Sequence, residues 1–185
     1  MKNKTTIVLL LLLIINIFSF KSFAQVETYQ VKKWTVFKKI DPITDELYIR
    51  LLNFDSNNRH TLNFIYTPKY PKTIGLEMEY LDTENQFHDI VYRFDKQEPI
   101  ETNWFNGKNS KEDGKVKDAL FFVDNPKDNL KEFIIKMMIY NKLAFAYNNI
   151  NNERVTVVFD LSGFTKAITP YLDELGLESL KDIYN

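Results

Sequence analysis

From Trp34 onward the chain alternates apolar and polar residues with a period of two, the pattern of strands that bury one face and wet the other. Trp34-Thr35-Val36-Phe37 opens the first such run. Asp41-Pro42 closes it in a turn, because Pro fixes φ and an Asp side chain bonds its own downstream backbone. Leu47 to Phe54 sets Leu47, Ile49 and Leu51 against Tyr48, Arg50 and Leu52, and Leu62-Phe64-Tyr66 continues to Pro68. Ile74, Leu76, Met78 and Tyr80 share one face, with Glu77 and Glu79 expected on its solvated side. His88 to Phe94 and Ala119 to Val123 add two more strands. The polar stretch Glu101 to Asp118, with Gly107 and Gly114, reads as a long loop carrying the aromatic pair Trp104-Phe105.

The period changes to 3.6 in two places. Leu130, Phe133, Ile134, Met137 and Met138 fall on one helical face, and Asn125-Pro126 has the form of an N-cap followed by Pro at the first helical position. A second helix is expected after Ser162 as its cap, with Phe164, Ala167, Ile168, Tyr171, Leu172 and Leu175 as its apolar stripe and a kink or break at Pro170. Between the helices, Leu143-Phe145-Tyr147 and Val155-Val157-Phe159-Leu161 alternate around the Asn-rich segment Asn148 to Asn152, which predicts a hairpin. The expected fold is therefore mainly β, a β-rich α+β domain: an antiparallel sandwich or open barrel of about eight strands with two late helices. No repeat or linker divides residues 25–185, so one domain is expected there.

The first 24 residues differ from everything after them. Lys2 and Lys4 precede an unbroken apolar run from Ile7 to Ile15, and Ser22-Phe23-Ala24 supplies small residues at the −3 and −1 positions of a secretory cleavage site. The run is shorter than the roughly 20 apolar residues a membrane span needs. Residues 1–24 are thus expected to be a signal peptide, the mature chain to start at Gln25 with no transmembrane segment, and the protein to work in a periplasm or outside the cell. Removing this segment changes the charge. The whole chain has a formal charge of −1, whereas residues 25–185 carry 21 Lys and Arg against 25 Asp and Glu, a net −4. A net acidic domain does not attract a phosphate backbone through its overall field, so nucleic acid is not an expected partner.

The residue inventory restricts the chemistry. There is no Cys and no Gly-x-Ser-x-Gly elbow, which leaves no evident activated nucleophile, and five scattered Gly build no phosphate-cradling loop. His60 and His88 stand apart in sequence, so no metal or other cofactor is expected, His88-Asp89 being the weak candidate for a metal. Carboxylates are plentiful, and a pair facing each other roughly 5–10 Å apart would suit glycoside hydrolysis. Four residues are candidates for binding. Arg93 and Asp95 share a strand face with Val91, as a surface ion pair or with Arg93 free to offer its fork to a carboxylate such as that of Asp160 or of a ligand. Trp104 is a plug over the end of the core or an exposed anchor for a partner.

Trp34, Pro42-Ile43-Thr44-Asp45, Tyr92-Arg93-Phe94-Asp95, Trp104, Lys136-Met137 and, most specific of all, Phe159-Asp160-Leu161-Ser162-Gly163 together resemble the VasI family of secreted bacterial proteins, associated in name with type VI secretion. The resemblance runs from about Trp34 to Leu172, although this chain lacks the cysteines that many members carry. It implies an envelope-associated accessory or binding protein rather than a particular activity. Three functions are open at this point. One is a non-enzymatic exported binding or accessory protein whose partner is another envelope or secreted protein. The others are a carboxylate-based hydrolase of envelope polysaccharide, and an inhibitor or immunity protein for a secreted effector.

Overall fold

Two antiparallel sheets face each other. The computed structural model describes residues 25–68, 73–80, 88–101, 104–110, 116–122, 129–149 and 151–183. In chain order the strands are β1 (Gln25–Val31), β2 (Trp34–Ile40), β3 (Leu47–Phe54), β4 (His60–Thr67), β5 (Thr73–Tyr80), β6 (His88–Phe94), β7 (Ile100–Glu101), β8 (Phe105–Ser110), β9 (Val116–Phe121), β10 (Lys142–Asn148) and β11 (Arg154–Asp160). Helix α1 (Leu130–Ile139) precedes β10, and α2 (Phe164–Ile168) follows β11. The larger sheet has the order β1-β2-β3-β4-β5-β9-β8 and the smaller β11-β10-β6-β7. Neither order returns to its first strand, so the architecture is a sandwich and not a closed barrel.

The alternation in sequence maps onto this frame strand by strand. Trp34 and Val36 of β2, Ile49 and Leu51 of β3, Leu62 and Phe64 of β4, and Leu76 and Met78 of β5 are buried in the core. Asp41 forms the expected turn, its Oδ1 accepting from the backbone N–H of Ile43 and Thr44. The hairpin of β10 and β11 forms with Leu143 opposite Phe159 and Tyr147 opposite Val155. Three expectations for the strands are corrected. The stretch from Glu101 to Asp118 is not a long loop, because β8 and the first half of β9 lie within it and pair as a hairpin. β1 is an additional strand whose polar alternation gives little signal, since an edge strand has few residues to bury. Glu77 is not on a solvated face: it is 3% exposed, and Asn63 on the same face is fully buried. β4 and β5 are interior strands of a seven-stranded sheet, and Arg50 lies over them from β3. Its Nε and Nη2 donate to Asn63 Oδ1 at 3.1 and 3.0 Å, and Nη2 lies 4.0 Å from Glu77 Oε1. The period of two was a guide to which residues share a face, not to whether that face is wet. The Glu79 and His88 side chains lie outside the described residues.

Helix α1 seals one end of the core. Asn129 is its N-cap, accepting from the N–H of Lys131 and Glu132, while the expected cap at Asn125-Pro126 lies outside the described residues. Phe133 from this helix meets Tyr92, Phe94, Trp104 and Phe122, with ring centroids between 5.1 and 5.7 Å apart. Trp104 is 4% exposed and packs edge-on against Phe145 at 5.0 Å. It is therefore a plug in the aromatic core.

Ser162 does not cap the second helix. Gly163 occupies the cap position with φ +93°, and no side chain bonds there. Pro170 does end the helix, which passes into a 3-10 turn over Thr169–Tyr171. Gly163 is required for two separate reasons. Its φ is in the left-handed region, and a Cβ there would stand 2.7 Å from the Val31 carbonyl oxygen and 2.9 Å from Lys32 Cβ. The β1–β2 turn thus rests directly on the backbone between β11 and α2. Replacing Gly163 by Ala is expected to cost about 2–3 kcal/mol and lower Tm by roughly 4–12 °C in a scan of the purified protein. An unchanged Tm would show that this contact does not hold the turn.

Candidate functional site

At the end of the sandwich where β11 hands over to α2, three segments converge around an open groove of about 740 Å³. Lys32 and Lys33 of the β1–β2 turn form one wall and Asn53 to Asn58, from the end of β3 into the following turn, form another. Lys142, Val158 and Asp160 of the β10–β11 hairpin complete it. The volume lies within the range of ligand clefts, roughly 300–1,000 Å³.

Each wall is held by its own hydrogen bonds. Asn53 is 1% exposed, and its Nδ2 donates to the Asp160 carbonyl at 2.7 Å, joining the two sheets. Its Oδ1 has no partner among the described residues, and neither has the indole N–H of Trp34, directly opposite it in register on β2. A buried acceptor in the groove wall and a buried donor opposite it on β2 are thus left over among the described residues. Buried polar atoms are ordinarily paired, so this pair is the least satisfied feature of the site.

The two carboxylates of the groove are committed internally. Asp55 Oδ1 accepts from the N–H of Arg59 at 2.7 Å and of His60 at 3.1 Å, which fixes the β3–β4 turn, and Oδ2 lies 3.2 Å from His60 Nδ1. Asp160 Oδ1 accepts from the Ser162 N–H at 2.9 Å. Burial disfavours the charge on Asp160. The Ser162 backbone and hydroxyl bonds, with Lys33 and Lys142 nearby, outweigh burial and hold the carboxyl below its ordinary pKa. Lys142 and Asp160 are register partners across the hairpin. The ammonium groups of Lys32, Lys33 and Lys142, by contrast, take part in none of the ion pairs among the described residues. Lys32 also sits at φ +52°, the left-handed conformation that a two-residue hairpin turn between Val31 and Trp34 calls for.

Behind the groove lies a buried polar chain. His60 is 4% exposed, and its Nε2 lies 2.9 Å from the Tyr147 hydroxyl on the opposite sheet. Because a carboxylate only accepts, the neutral ring keeps its proton on Nδ1 toward Asp55 and accepts from Tyr147 through Nε2. Burial lowers the His60 pKa, and its contacts with Asp55 offset this only in part.

The four candidates from the sequence do not form one site. Asp160 lines the groove. Trp104 is in the core. Asp95, at φ +45°, accepts from the N–H of Asn141 and Lys142 and so fixes the entry to β10. Arg93 is exposed on the outer face of β6 and is ion-paired with neither Asp95 nor Asp160. The expected pair fails because the Asp95 carboxylate is occupied by backbone. Sequence reasoning missed the three lysines, Asn53, and the Asp55–His60–Tyr147 chain. Lys32-Lys33 between two strands was the available signal for part of it. No group of metal-ligating side chains occurs among the described residues, and no helix among them is long and apolar enough to cross a membrane.

Among solved structures, the fold is similar to that of invasion associated protein B from Bartonella henselae. The match has a TM-score of 0.53 at 10% identity and covers 81% of this chain and 99% of that one. It shows a shared fold. No protein-family model matches the chain, and no curated protein matches it.

The lowered His60 pKa sets a direction for stability. Between that pKa and the unfolded value of about 6.5, the unfolded chain binds the extra proton and the folded one does not, so stability falls as pH drops through this window. Melting curves from pH 7.5 to 5 should show Tm falling more steeply for the native sequence than for His60→Gln, which does not titrate. Equal slopes would contradict the buried neutral imidazole.

Proposed function

We propose that the protein is an exported, non-enzymatic accessory or binding protein of the bacterial envelope, and that its groove takes an anionic ligand. The observation that carries this reading is the charge balance of the groove. Two carboxylates are held by the protein's own N–H groups, while the three lysines at the rim join none of the ion pairs among the described residues. A net acidic chain that keeps such cations together at one concave place offers a local attraction its overall charge does not. The secretory pattern of residues 1–24 supports export, and the motif resemblance to VasI proteins supports an envelope role that includes association with a secretion apparatus. The hydrolase reading has less support from this groove. A glycosidase needs one carboxyl kept protonated, whereas Asp160 is held ionised and Asp55 is bound to His60 and the turn.

Two measurements test the proposal. When the full chain is produced in a bacterial host, mass spectrometry should find an exported species beginning at Gln25; only an uncleaved species retained in the cell would overturn the export. Titration with polyglutamate at low salt should show binding that weakens at least tenfold in the Lys33→Glu, Lys142→Glu double variant and declines with added salt. Binding indifferent to both changes would overturn the groove as an anion site.

A further inference from the structure

We propose that the occupant of the groove is an extended acidic segment of a partner protein, added as a strand to the free edge of β11. This rests on the anion-binding reading above and names the ligand class and its mode of binding.

The edge follows from the hydrogen-bond polarity of the hairpin. In an antiparallel sheet the N–H and C=O of one residue point to the same side, and successive residues alternate. The Lys142 N–H and C=O are both engaged by Asp95, on the β6 side of β10. Its register partner Asp160 must therefore point away from β10, and the Asp160 carbonyl does so, accepting from Asn53. Two residues earlier along β11, Val158 has the same orientation, and then Thr156. Their main-chain N–H and C=O groups have no partner among the described residues, and β11 is the terminal strand of its sheet. Such an unpaired row is a template for another strand.

The groove runs beside this edge. Val158 and Phe54 line it and are each 40% exposed, giving apolar ground for every second side chain of an added strand. Lys32, Lys33 and Lys142 stand around them, giving partners for carboxylates. The complement is an extended segment in which acidic and apolar residues alternate. A second copy of β11 does not supply it, because the only acid in Arg154–Asp160 is Asp160, already held by Ser162. A polysaccharide or a lipid headgroup would satisfy the lysines and leave the edge of Thr156 and Val158 unpaired.

The test uses the acetylated, amidated peptide (Glu-Val)₄ and two versions of it, one N-methylated at every Glu and one at every Val. Charge is the same in all three, but each methylated version loses the donors along one edge. Fluorescence anisotropy should show the parent peptide binding the full-length protein, one methylated version weakened at least tenfold, and the other nearly unchanged. In the protein, Val158→Pro removes only an outward N–H and should weaken the parent peptide about tenfold. If that variant does not fold, amide hydrogen exchange on the native sequence serves instead: the Thr156 and Val158 amides should slow at least tenfold on peptide addition. Equal binding of all three peptides and of polygalacturonate, with no protection at these amides, would overturn strand addition and leave the anion groove standing. No binding of any probe, with or without lysine reversal, would overturn both.

Discussion

The hydrogen bond from the Asn53 side chain to the Asp160 carbonyl is the contact on which this end of the molecule depends. It holds an interior strand of the larger sheet against an edge strand of the smaller one, at the point where the chain must leave β11 and start α2. Leu161, Phe164, Ala167, Ile168 and Leu172 then follow into the core, with the Phe164 ring tilted against Trp34 at a centroid distance of 4.9 Å. A side-chain amide is suited to this task because it satisfies a carbonyl that no neighbouring strand can reach, and leaving that carbonyl buried and unpaired would cost on the order of 1–3 kcal/mol. Gly163 completes the junction by letting the β1–β2 turn rest on the backbone itself.

The groove is a by-product of that closure, and its electrostatics follow from how each acid is used. Turns and helix starts need acceptors for their N–H groups, so Asp55, Asp95 and Asp160 are spent on backbone geometry. No comparable structural demand falls on the lysines of the same segments. The groove therefore gathers three lysines that join none of the ion pairs among the described residues, on a chain with excess acid. The His60 chain lies directly behind, linking Asp55 in the groove wall to Tyr147 on the other sheet, so the wall is coupled to the protonation of a buried ring.

Much of the fold was legible in the sequence. The strands from Leu47 to Phe54 and from Arg154 to Asp160, the turn at Asp41 and the break at Pro170 follow from local physics: period-two burial, Asx bonding and the missing N–H of Pro. What was not legible depended on neighbours in space. Glu77 is buried because Arg50 and adjoining strands cover a face that alternation alone assigns to water. Ile100–Glu101 and Phe105–Ser110 pair into strands through contacts with β6 and β9 that no local pattern in them announces. The same holds for the candidate site. Asp160 was visible because it lies in a compact motif at a strand-to-helix junction. Its companions Asn53, Lys32 and Lys142 come from three separate parts of the chain. Arg93 and Asp95 share a short motif but not a task, since the carboxylate was already taken by Asn141 and Lys142.

Ligand is expected to meet this groove and not another part of the surface. A second concavity, lined by Val26, Phe37, Tyr48 and Ile65 on the outer face of the larger sheet, offers the alternative. Amide chemical-shift mapping during titration with an acidic peptide distinguishes them in a single experiment. The shifted resonances should cluster at Lys32, Lys33, Asn53 to Asn58, Lys142 and Val158 to Asp160. Shifts centred on Phe37, Tyr48 and Ile65, with the groove residues unmoved, would contradict this expectation.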